Sequence, residues 1–455
     1  MKPPADSLNA DDLTQYLHQL AEDYGIKTWC LAYSGGVDSQ VLLHLLHQSR
    51  LNIRAVYIDH GLQAESSQWA AHCAAQCHQL HIPFQSIKVN ARAPRGESPE
   101  AAARHARYAA FREMIDEESC LLTAQHQQDQ AETVMLQLLR GGGAAGLAAM
   151  PRISRFGSGW HSRPLLDISQ QAILDYAKEN QLSWVEDPSN QQQSYDRNYL
   201  RHRVMPQIQQ RWPALNRTLA LFAQQQAEDM GLLEELARID LQAALICENQ
   251  LDLDSLRNLH NARLRNALRF WIRQMQLALP SRAVLQQIVQ QMLATSHDTR
   301  AVVNWANVEV RRYRNRLYCL QKNDSQSVEQ VSLQAIEWHG GCAVELPGTG
   351  KKLRLETVRV SANTPHVLDK HILDHPISIR FRQGGERIQP AGRKGHHELK
   401  KLFQEAGVPP WERDTIPLLY IEENLIAVAG YWLADKYLTQ TEEGLLPVLE
   451  SSEIV

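Results

Sequence analysis

The sequence predicts an α/β fold with a doubly wound parallel sheet, followed by a helical domain and a small α+β C-terminal domain. Three observations predict it. Short β-prone runs alternate with helical stretches over the first 140 residues, which is typical of a parallel sheet. One strand is followed by two glycines and a helix start, where such folds bind anions. Beyond residue 207 helical periodicity dominates, and short strand-like runs return after residue 297.

Helical and strand-like stretches alternate in regular order from the N-terminus. The strands are predicted at 28–33, 53–58, 84–89 and 120–124, and the helices at 7–23, 41–46, 66–80, 99–117 and 128–140. Pro99 follows Ser98, a good N-cap residue, and Ser169 is placed to cap a later helix at 170–181. Further strands are expected at 377–382 and 425–429.

Composition limits the function less than the motifs do. The 455 residues predict two to four domains, with 44% hydrophobic and 22% charged residues as in ordinary globular proteins. A net charge of −4 gives no general case for nucleic-acid binding, so an RNA-binding face would need a local basic cluster. The 7 scattered cysteines predict reduced thiols in the cytoplasm. No signal core and no run of about 18 apolar residues is present, so no membrane span is expected.

The central motif is the turn Ser34-Gly35-Gly36-Val37-Asp38-Ser39. Two glycines let the backbone approach a ligand closely, and the helix N-terminus and two serine hydroxyls favour an anion. This combination predicts a phosphate cradle. No lysine follows the glycines, so it is not the common nucleotide-binding loop. A carboxylate beside phosphates needs a bridging cation, and Asp38 is therefore predicted to bind Mg²⁺.

A second polar group is expected at the same sheet edge. Asp59-His60 and Gln125-His126 follow two other predicted strands, and the carboxyl ends of parallel strands form one ligand-binding edge. Asp129 and Glu132 lie three residues apart, so they share a helix face. Asp129 and His126 are predicted to lie opposite Asp38 and to hold Mg²⁺ and the α-phosphate, and Glu132 is a candidate contact to the substrate or the tRNA. The alternative is that the acidic residues only complement the helix dipole.

Three other groups of residues have both a functional and a structural interpretation. Arg104 and Arg107 share a helix face and could clamp phosphates, or they could pair with Glu100 and Glu113. The glycine-rich stretch 141–146 is either a linker or a mobile substrate loop. A polar cluster after the sheet suits a zwitterion or RNA, or a salt-bridge network. Its members are Arg163, Glu186, Asp187, Asn190, Arg197, Asn198 and Arg201.

The C-terminal region carries a local excess of basic residues over 376–401. In a chain of net negative charge this predicts a surface for a phosphate backbone, and the alternative is an ordinary solvated face. The basic residues are Arg380, Arg382, Arg387, Arg393, Lys394, Lys400 and Lys401.

Together these motifs resemble the tRNA(Ile)-lysidine synthetases, a family of PP-loop N-type ATP pyrophosphatases. The loop at 34–39 is common to many pyrophosphatases, whereas the later motifs are more specific. These are A-R-H-A-R-Y at 103–108, H-x-x-D-x-x-E-T at 126–133, R-P-L-L at 163–166, W-x-E-D-x-S-N at 184–190, R-N-x-L-R at 197–201, R-x-G-G-E-R-I at 382–388, L-K-K-L-F at 399–403 and V-P-P-W-x-R-D at 408–414.

The resemblance implies that ATP, with Mg²⁺, adenylates the wobble cytidine of tRNA(Ile) with a CAU anticodon. Free L-lysine then displaces AMP and forms lysidine, which changes the codon read from AUG to AUA. His126, Glu186 and Asp187 remain alternatives for the base that deprotonates the amine. The resemblance also implies ATP contacts from 34–39, Ile58 and His60, and catalytic roles for Asp38, Arg107, His126 and Asp129.

By the same resemblance, 1–215 would be the catalytic domain, 216–320 a helical tRNA-binding domain, 321–365 a connecting segment and 366–455 a tRNA-recognition domain. Gln128 departs from the family, which often has a second carboxylate there. A tRNA thiolase is an alternative, although the chain has no C-x-x-C motif; a catalytically weak tRNA-binding module is another. The sequence does not fix the oligomeric state, and a homodimer is one option.

Overall fold

The computed structural model describes residues 8–61, 66–90, 99–188, 195–292, 301–322, 335–347, 350–360, 366–439 and 441–451. The chain forms two compact units, Met1–Leu233 and Glu234–Val455. The division falls within one long helix rather than at the expected boundary after residue 215. Each unit is described separately below.

A six-stranded sheet organises the first unit, in the order β3-β2-β1-β4-β6-β5. Five strands are parallel, and β5 runs antiparallel at one edge. The strands are β1 Thr28–Ala32, β2 Ile53–Asp59, β3 Phe84–Lys88, β4 Ser119–Leu122, β5 Ile153–Phe156 and β6 Gly159–Ser162. The alternation predicted the first four strands. The β5–β6 hairpin was missed because its strands, Ile-Ser-Arg-Phe and Gly-Trp-His-Ser, are not apolar runs.

Helices alternate with the strands as the sequence predicted. They are α1 Ala10–Tyr24, α2 Val37–Ser49, α3 Ser66–Gln79, α4 Pro99–Met114, α5 Gln127–Leu139, α6 Ala144–Leu147, α7 Gln170–Glu179, α8 Asp196–Tyr199, a π-helical turn Leu200–Val204 and α9 Met205–Arg211. Ser169 caps α7 as expected, by accepting from the backbone N–H of Ala172. The expected N-cap Ser98 lies outside the described residues.

Two core clusters fix the sheet between its helices. One packs β1 residues such as Trp29 and Leu31 against α2, whose Leu42 and Leu45 are fully buried. The other covers the opposite face with Cys30, Val56, Phe111 and Leu121. Burial on both faces explains why β1 and β4 read as continuous apolar runs. The sheet is therefore rigid where the glycine turn leaves it.

The second unit begins within α10 Leu215–Gln242 and contains more strands than the sequence indicated. A five-stranded antiparallel sheet has the order β7-β8-β11-β10-β9, with α11 Leu253–Arg257, α12 Asn261–Gln274 and α13 Arg282–Met292. Its strands are β7 Leu245–Cys247, β8 Gln250–Asp252, β9 Val302–Trp305, β10 Val308–Tyr313 and β11 Arg316–Gln321. The region 216–320 is thus a mixed domain, because β7 and β8 are too short to interrupt the helical pattern.

The C-terminal part of this unit is mainly β. Its strands are β12 Ile336–Trp338, β13 Val344–Leu346, β14 Lys351–Arg359, β15 Ile377–Arg380, β16 Arg387–Ile388, β17 His397–Glu398, β18 Leu418–Ile421, β19 Asn424–Val428, β20 Trp432–Leu433 and β21 Glu443–Ser451. Two short helices, α14 Leu399–Glu405 and α15 Pro410–Arg413, and 3₁₀ turns at Lys370–Asp374 and Asp435–Tyr437 complete it.

The prediction that 321–365 is only a connecting segment needs correction. In its described part, β12 pairs with β15, and β14 pairs with β13 and β21. These strands bury Trp338, Leu346 and Leu353 in the same core as the C-terminal strands. The segment therefore belongs to the C-terminal β domain, because its apolar side chains have their burial there.

Candidate active site

The glycine turn leaves β1 and enters α2 as the sequence predicted. Gly36 is the N-cap of α2, and Ser39 Oγ donates to the Gly36 carbonyl oxygen at 3.0 Å. The Ser34 and Ser39 hydroxyls lie 3.1 Å apart. The Gly35 carbonyl oxygen accepts from Val185 N–H at 2.9 Å, which attaches the turn to the segment after α7. These contacts fix the loop with its helix N–H groups available to an anion.

Gly35 is required by both conformation and space. Its φ is +81°, a region that side chains with a Cβ rarely adopt. A Cβ there would lie 2.9 Å from Cys73 Sγ, and Cys73 is fully buried on α3. The cysteines at 73 and 77 are thus core residues beneath the loop.

Asp38 presents a buried oxygen without a hydrogen-bond partner. Its Oδ1 is inaccessible and accepts no hydrogen bond from the described residues, and His126 Nε2 approaches it only to 3.7 Å. Burial raises the pKa of Asp38, and Asp129 also raises it, while His126 and Arg201 oppose the change. An unpaired buried carboxylate oxygen fits a hard cation, which would replace the missing partner.

The neutral ring of His126 is held in one tautomer by a backbone hydrogen bond. Its Nδ1 accepts from Gln128 N–H at 3.2 Å, so in the neutral ring the hydrogen is on Nε2. Nε2 faces Asp38 Oδ1 at 3.7 Å and Asp129 Oδ2 at 3.6 Å. His126 also caps α5 while Asp129 Oδ2 accepts from His126 N–H. With Nδ1 occupied and Nε2 protonated, the ring is a poor candidate for the base that deprotonates lysine.

Two carboxylates of α5 meet two arginines from the region of α8. Asp129 Oδ1 accepts from Arg197 Nη2 and from Arg201 Nη2, each at 3.0 Å. Glu132 is fully buried and accepts from Arg197 Nε at 2.8 Å and from Arg201 Nε at 2.6 Å. The Gln128 amide adds a donor to Glu132 at 3.2 Å. Of the two interpretations of Arg197 and Arg201, the structure shows the ion-pair network.

This network changes the expected role of Asp129. Burial alone would raise its pKa, but His126, Arg197 and Arg201 together bring the pKa below its ordinary value. Both of its oxygens already accept hydrogen bonds, one from the arginines and one from a backbone N–H. The geometry therefore favours Asp38 over Asp129 as the metal ligand. Among the described residues no cluster of three His, Cys, Asp or Glu side chains could hold a metal ion.

The arginines of α4 lie near the carboxyl edge of the sheet. Arg104 and Arg107 both lie over the Tyr108 ring, at 4.9 and 5.6 Å. The pKa of His60, which follows β2, is lowered by burial and by the charge of Arg107, while Asp59 and Asp187 oppose this. Burial raises the pKa of Tyr57 to about 12, and Cys73, Asp59 and Asp187 raise it as well. The charges of Arg107 and Asp187 thus both act at His60, a meeting that the sequence did not predict.

Two predicted ligand contacts need correction. Arg163 is buried, and it donates to the Pro151 carbonyl oxygen at 2.8 Å and to His161 Nδ1 at 3.1 Å. It therefore supports the site from below and is not exposed to a substrate. Ile58 places its side chain in a core cluster, so only its backbone is left for a nucleotide.

Other predicted site residues are placed as follows. Glu186 is exposed, Asn198 is partly buried on α8, and Asn190 lies outside the described residues. The sequence placed Gln125 at this edge but did not single out Thr123 and His161, which form hydrogen bonds below the site. The sequence signal that could have identified Thr123 is the largely polar run Thr-Ala-Gln-His directly after β4.

The C-terminal basic residues divide into paired and unpaired groups. Arg380 donates to Glu423 Oε2 at 2.9 Å, Arg382 to Asp414 Oδ1 at 3.2 Å, and Arg393 to Glu405 Oε2 at 2.7 Å. Lys401 lies 3.6 Å from Glu398, and Arg387 donates to the His396 carbonyl oxygen. Lys394 and Lys400 are exposed and have no ion-pair partner among the described residues. Carboxylates distant in sequence thus neutralise part of the cluster.

Comparison with known proteins agrees with this arrangement of domains. Residues 9–208 match the PP-loop domain, 251–318 the TilS substrate binding domain and 377–449 the TilS substrate C-terminal domain. The tRNA(Ile)-lysidine synthase of Methylococcus capsulatus is 41% identical over 417 residues, covering 90% of this chain and 93% of that protein. That of Coxiella burnetii is 40% identical over 420 residues, covering 91% of each.

The chain belongs to the tRNA(Ile)-lysidine synthase family. The member from Alkalilimnicola ehrlichii, 39% identical, aligns over 95% of this chain and 96% of its own length. Relatives in this family therefore align with the sheet of the first unit and with both domains that follow it. No helix in the described ranges is long and apolar enough to cross a membrane.

Proposed function

We propose that this chain ligates free L-lysine to the wobble cytidine of tRNA(Ile) with a CAU anticodon, using ATP and releasing AMP and pyrophosphate. The observation that carries the proposal is family membership over nine-tenths of the chain, together with a glycine turn whose Asp38 has one carboxylate oxygen without a hydrogen bond. The family assignment favours this ATP-dependent ligase over the thiolase and the binding module.

The loop supports cleavage of ATP between its α- and β-phosphates. The first-turn N–H groups of α2 and the Ser34 and Ser39 hydroxyls are donors for pyrophosphate. Mg²⁺ would be held by Asp38, whose Oδ1 lacks a hydrogen-bond partner, together with phosphate oxygens. Such an ion neutralises charge that develops on the phosphates. Arg107 is the residue proposed to contact the same phosphates.

The tRNA is activated first because an amine attacks an unactivated pyrimidine carbonyl slowly, whereas AMP is a good leaving group. Only roughly one lysine molecule in a few thousand has a neutral amine at pH 7. The site must therefore accept a proton, and the tautomer of His126 leaves the carboxylates Glu186 and Asp187 as the better candidates. Asp187 is preferred, because it is partly buried near His60, whereas Glu186 is exposed.

The second unit is proposed to hold the body of the tRNA. The wobble base is only one end of the substrate, and methionine tRNA shares the CAU anticodon. Contacts elsewhere must therefore separate the two tRNAs. Exposed Lys394 and Lys400 are proposed as phosphate contacts that position the tRNA without reading bases.

The test is mass analysis of isoleucine tRNA after incubation with the protein, ATP, Mg²⁺ and lysine. The expected product carries one lysine less one water at the wobble cytidine, with AMP and pyrophosphate in equal amounts. Methionine tRNA with the same anticodon is the control and should remain unmodified. ADP as the main nucleotide product, or an unchanged isoleucine tRNA, would contradict the proposal.

A further inference from the structure

A buried chain of hydrogen bonds lies beneath the carboxyl ends of β4 and β6. Arg163 Nη1 donates to the Pro151 carbonyl oxygen at 2.8 Å, and its Nη2 contacts His161 Nδ1 at 3.1 Å. His161 Nε2 contacts Thr123 Oγ1 at 2.8 Å. Thr123 Oγ1 in turn contacts Gln125 Oε1, and Gln125 directly precedes His126 of the active site. Arg163, His161 and Thr123 are all buried.

The chemistry of the groups fixes the direction of every hydrogen in this chain. A guanidinium only donates, so His161 Nδ1 must accept and carries no hydrogen. The hydrogen of the neutral ring is then on Nε2 and is donated to Thr123 Oγ1. With its oxygen accepting from His161, Thr123 directs its own hydrogen to Gln125. Gln125 must therefore accept through its carbonyl oxygen.

The protonation state of His161 agrees with these hydrogen-bond directions. Its pKa is lowered to about 3 by burial, by Arg163 and by Arg104, so the ring is neutral at physiological pH. A protonated ring would put a hydrogen on Nδ1 against the Arg163 guanidinium. The chain thus has one stable arrangement of its hydrogens.

The consequence is that the Gln125 amide nitrogen must point away from the chain. No described residue accepts a hydrogen bond from it, and it is not among the buried atoms that lack a partner. Gln125 is partly buried at the sheet edge that carries the glycine turn and His126. Burial lowers the pKa of both His161 and Arg163, and the charge of Arg104 lowers both further, so a second arginine lies near this chain.

We propose that Gln125 binds an anionic oxygen of a small substrate, and that Thr123, His161 and Arg163 are positioning residues that keep its N–H₂ group directed at that oxygen. This inference rests on the proposed function. Two substrates of that reaction carry such an oxygen, as an ATP phosphate or as the carboxylate of free lysine. An N–H₂ group held in one direction suits both, since hydrogen bonds to charged acceptors are the strong class.

The first test is Gln125→Glu in the full-length protein, with KM measured separately for ATP, lysine and tRNA. The variant has nearly the same shape but replaces the donor with a negatively charged acceptor. The KM for ATP or for lysine is expected to rise by about ten- to hundredfold, and the substrate affected identifies the source of the oxygen. Unchanged KM values for both, or an effect on tRNA alone, would overturn the proposal. Gln85→Glu on exposed β3 is the matched charge control.

The second test separates orientation from general structure. Thr123→Val removes the hydroxyl at constant shape and is expected to raise the same KM several-fold, whereas Thr123→Ser should restore it. A normal KM in Thr123→Val, in the presence of a Gln125→Glu effect, would show that the buried chain does not orient the amide. Circular dichroism and thermal unfolding identify a variant that has failed to fold.

The wild-type protein in the same assay distinguishes the two proposals. If wild type forms lysidine and Gln125→Glu behaves like wild type, only the inference about Gln125 fails. If wild type forms no lysidine, the proposed function fails. Direct ATP binding to Gln125→Glu by calorimetry then tests the phosphate contact alone, and binding equal to wild type would exclude it.

Discussion

Glu132 and Arg201 form a bidentate ion pair between residues 69 positions apart in the chain. Arg201 Nε donates to Oε1 at 2.6 Å and Nη2 donates to Oε2 at 2.9 Å. Glu132 is completely buried, and the Arg201 side chain is 25% exposed. A single hydrogen bond from Arg197 Nε to Oε2 adds a second cation, and the two arginines together satisfy a carboxylate that could not otherwise remain charged in the interior.

Replacing this carboxylate should destabilise the first unit strongly. Glu132→Gln leaves two arginines without their main partner, and we expect a loss of about 3–5 kcal/mol in the free energy of unfolding. Urea denaturation monitored by circular dichroism measures it. Glu118→Gln is the control, because Glu118 pairs with Lys27 at an exposed site. Such a surface pair contributes about 0–1 kcal/mol. Equal losses in both variants would contradict the assigned role of Glu132.

Asp38→Asn should stabilise the protein while abolishing ATP turnover. Because burial raises the pKa of Asp38, the folded state holds its proton more tightly than the unfolded state. Asp38 therefore lowers stability as the pH rises through its pKa, and Asn lacks this penalty. We expect a higher Tm for the variant at pH 7 than for wild type, and a smaller difference near pH 4. Adenylation should fall about a hundredfold or more. Asp23→Asn on α1 is the control, and turnover of Asp38→Asn equal to wild type would remove Asp38 from the site.

Asp129→Asn should show the opposite pH dependence. The pKa of Asp129 lies below its ordinary value, so its charge stabilises the folded state above the unfolded pKa, and this contribution is lost as the pH falls. The variant should be less stable than wild type at pH 7. The difference should shrink below about pH 4. Tm values across this range measure it, and a constant difference would show that the ion pairs with Arg197 and Arg201 contribute little.

Gly35→Ala should impair ATP binding through the shape of the loop. The methyl group would meet Cys73 Sγ at 2.9 Å at a φ of +81°, so steric and backbone strain add. We expect a rise in the Kd for ATP of about tenfold or more. The double variant Gly35→Ala, Cys73→Ala removes the steric contact but leaves the backbone strain. It should therefore recover part of the affinity for ATP. Gly36→Ala is the comparison, since its Cβ would lie 3.6 Å from the nearest atom, Ser34 Oγ. Normal ATP binding in Gly35→Ala would contradict a fixed loop.

Lys394 and Lys400 should contribute to tRNA affinity more than their paired neighbours do. The double change to alanine removes two free charges, so the slope of log affinity against log salt should fall by about two. ATP binding should be unchanged. Arg380→Gln is the control because Arg380 is already neutralised by Glu423. A slope that is equal in wild type and in the Lys394, Lys400 variant would show that this surface is merely solvated.

Local patterns alone were sufficient to predict the glycine turn, the first four strands and the helices between them. A strand, two glycines and a helix start specify an anion site through backbone geometry, which depends on neighbours in sequence. The spacing of His126, Asp129 and Glu132 likewise placed the three together at the start of one helix. These features needed no long-range contact, so the sequence determined them.

Only the tertiary structure decided what each charged side chain does. Asp38 and Asp129 look equivalent as metal ligands in the sequence, yet arginines some 70 residues away occupy Asp129 and leave Asp38 Oδ1 without a partner. Arg163 was predicted at a ligand and is instead buried against His161. The energy of a charge depends on its desolvation and on partners that chain folding brings close. Sequence spacing does not contain that information, and the fold supplies it.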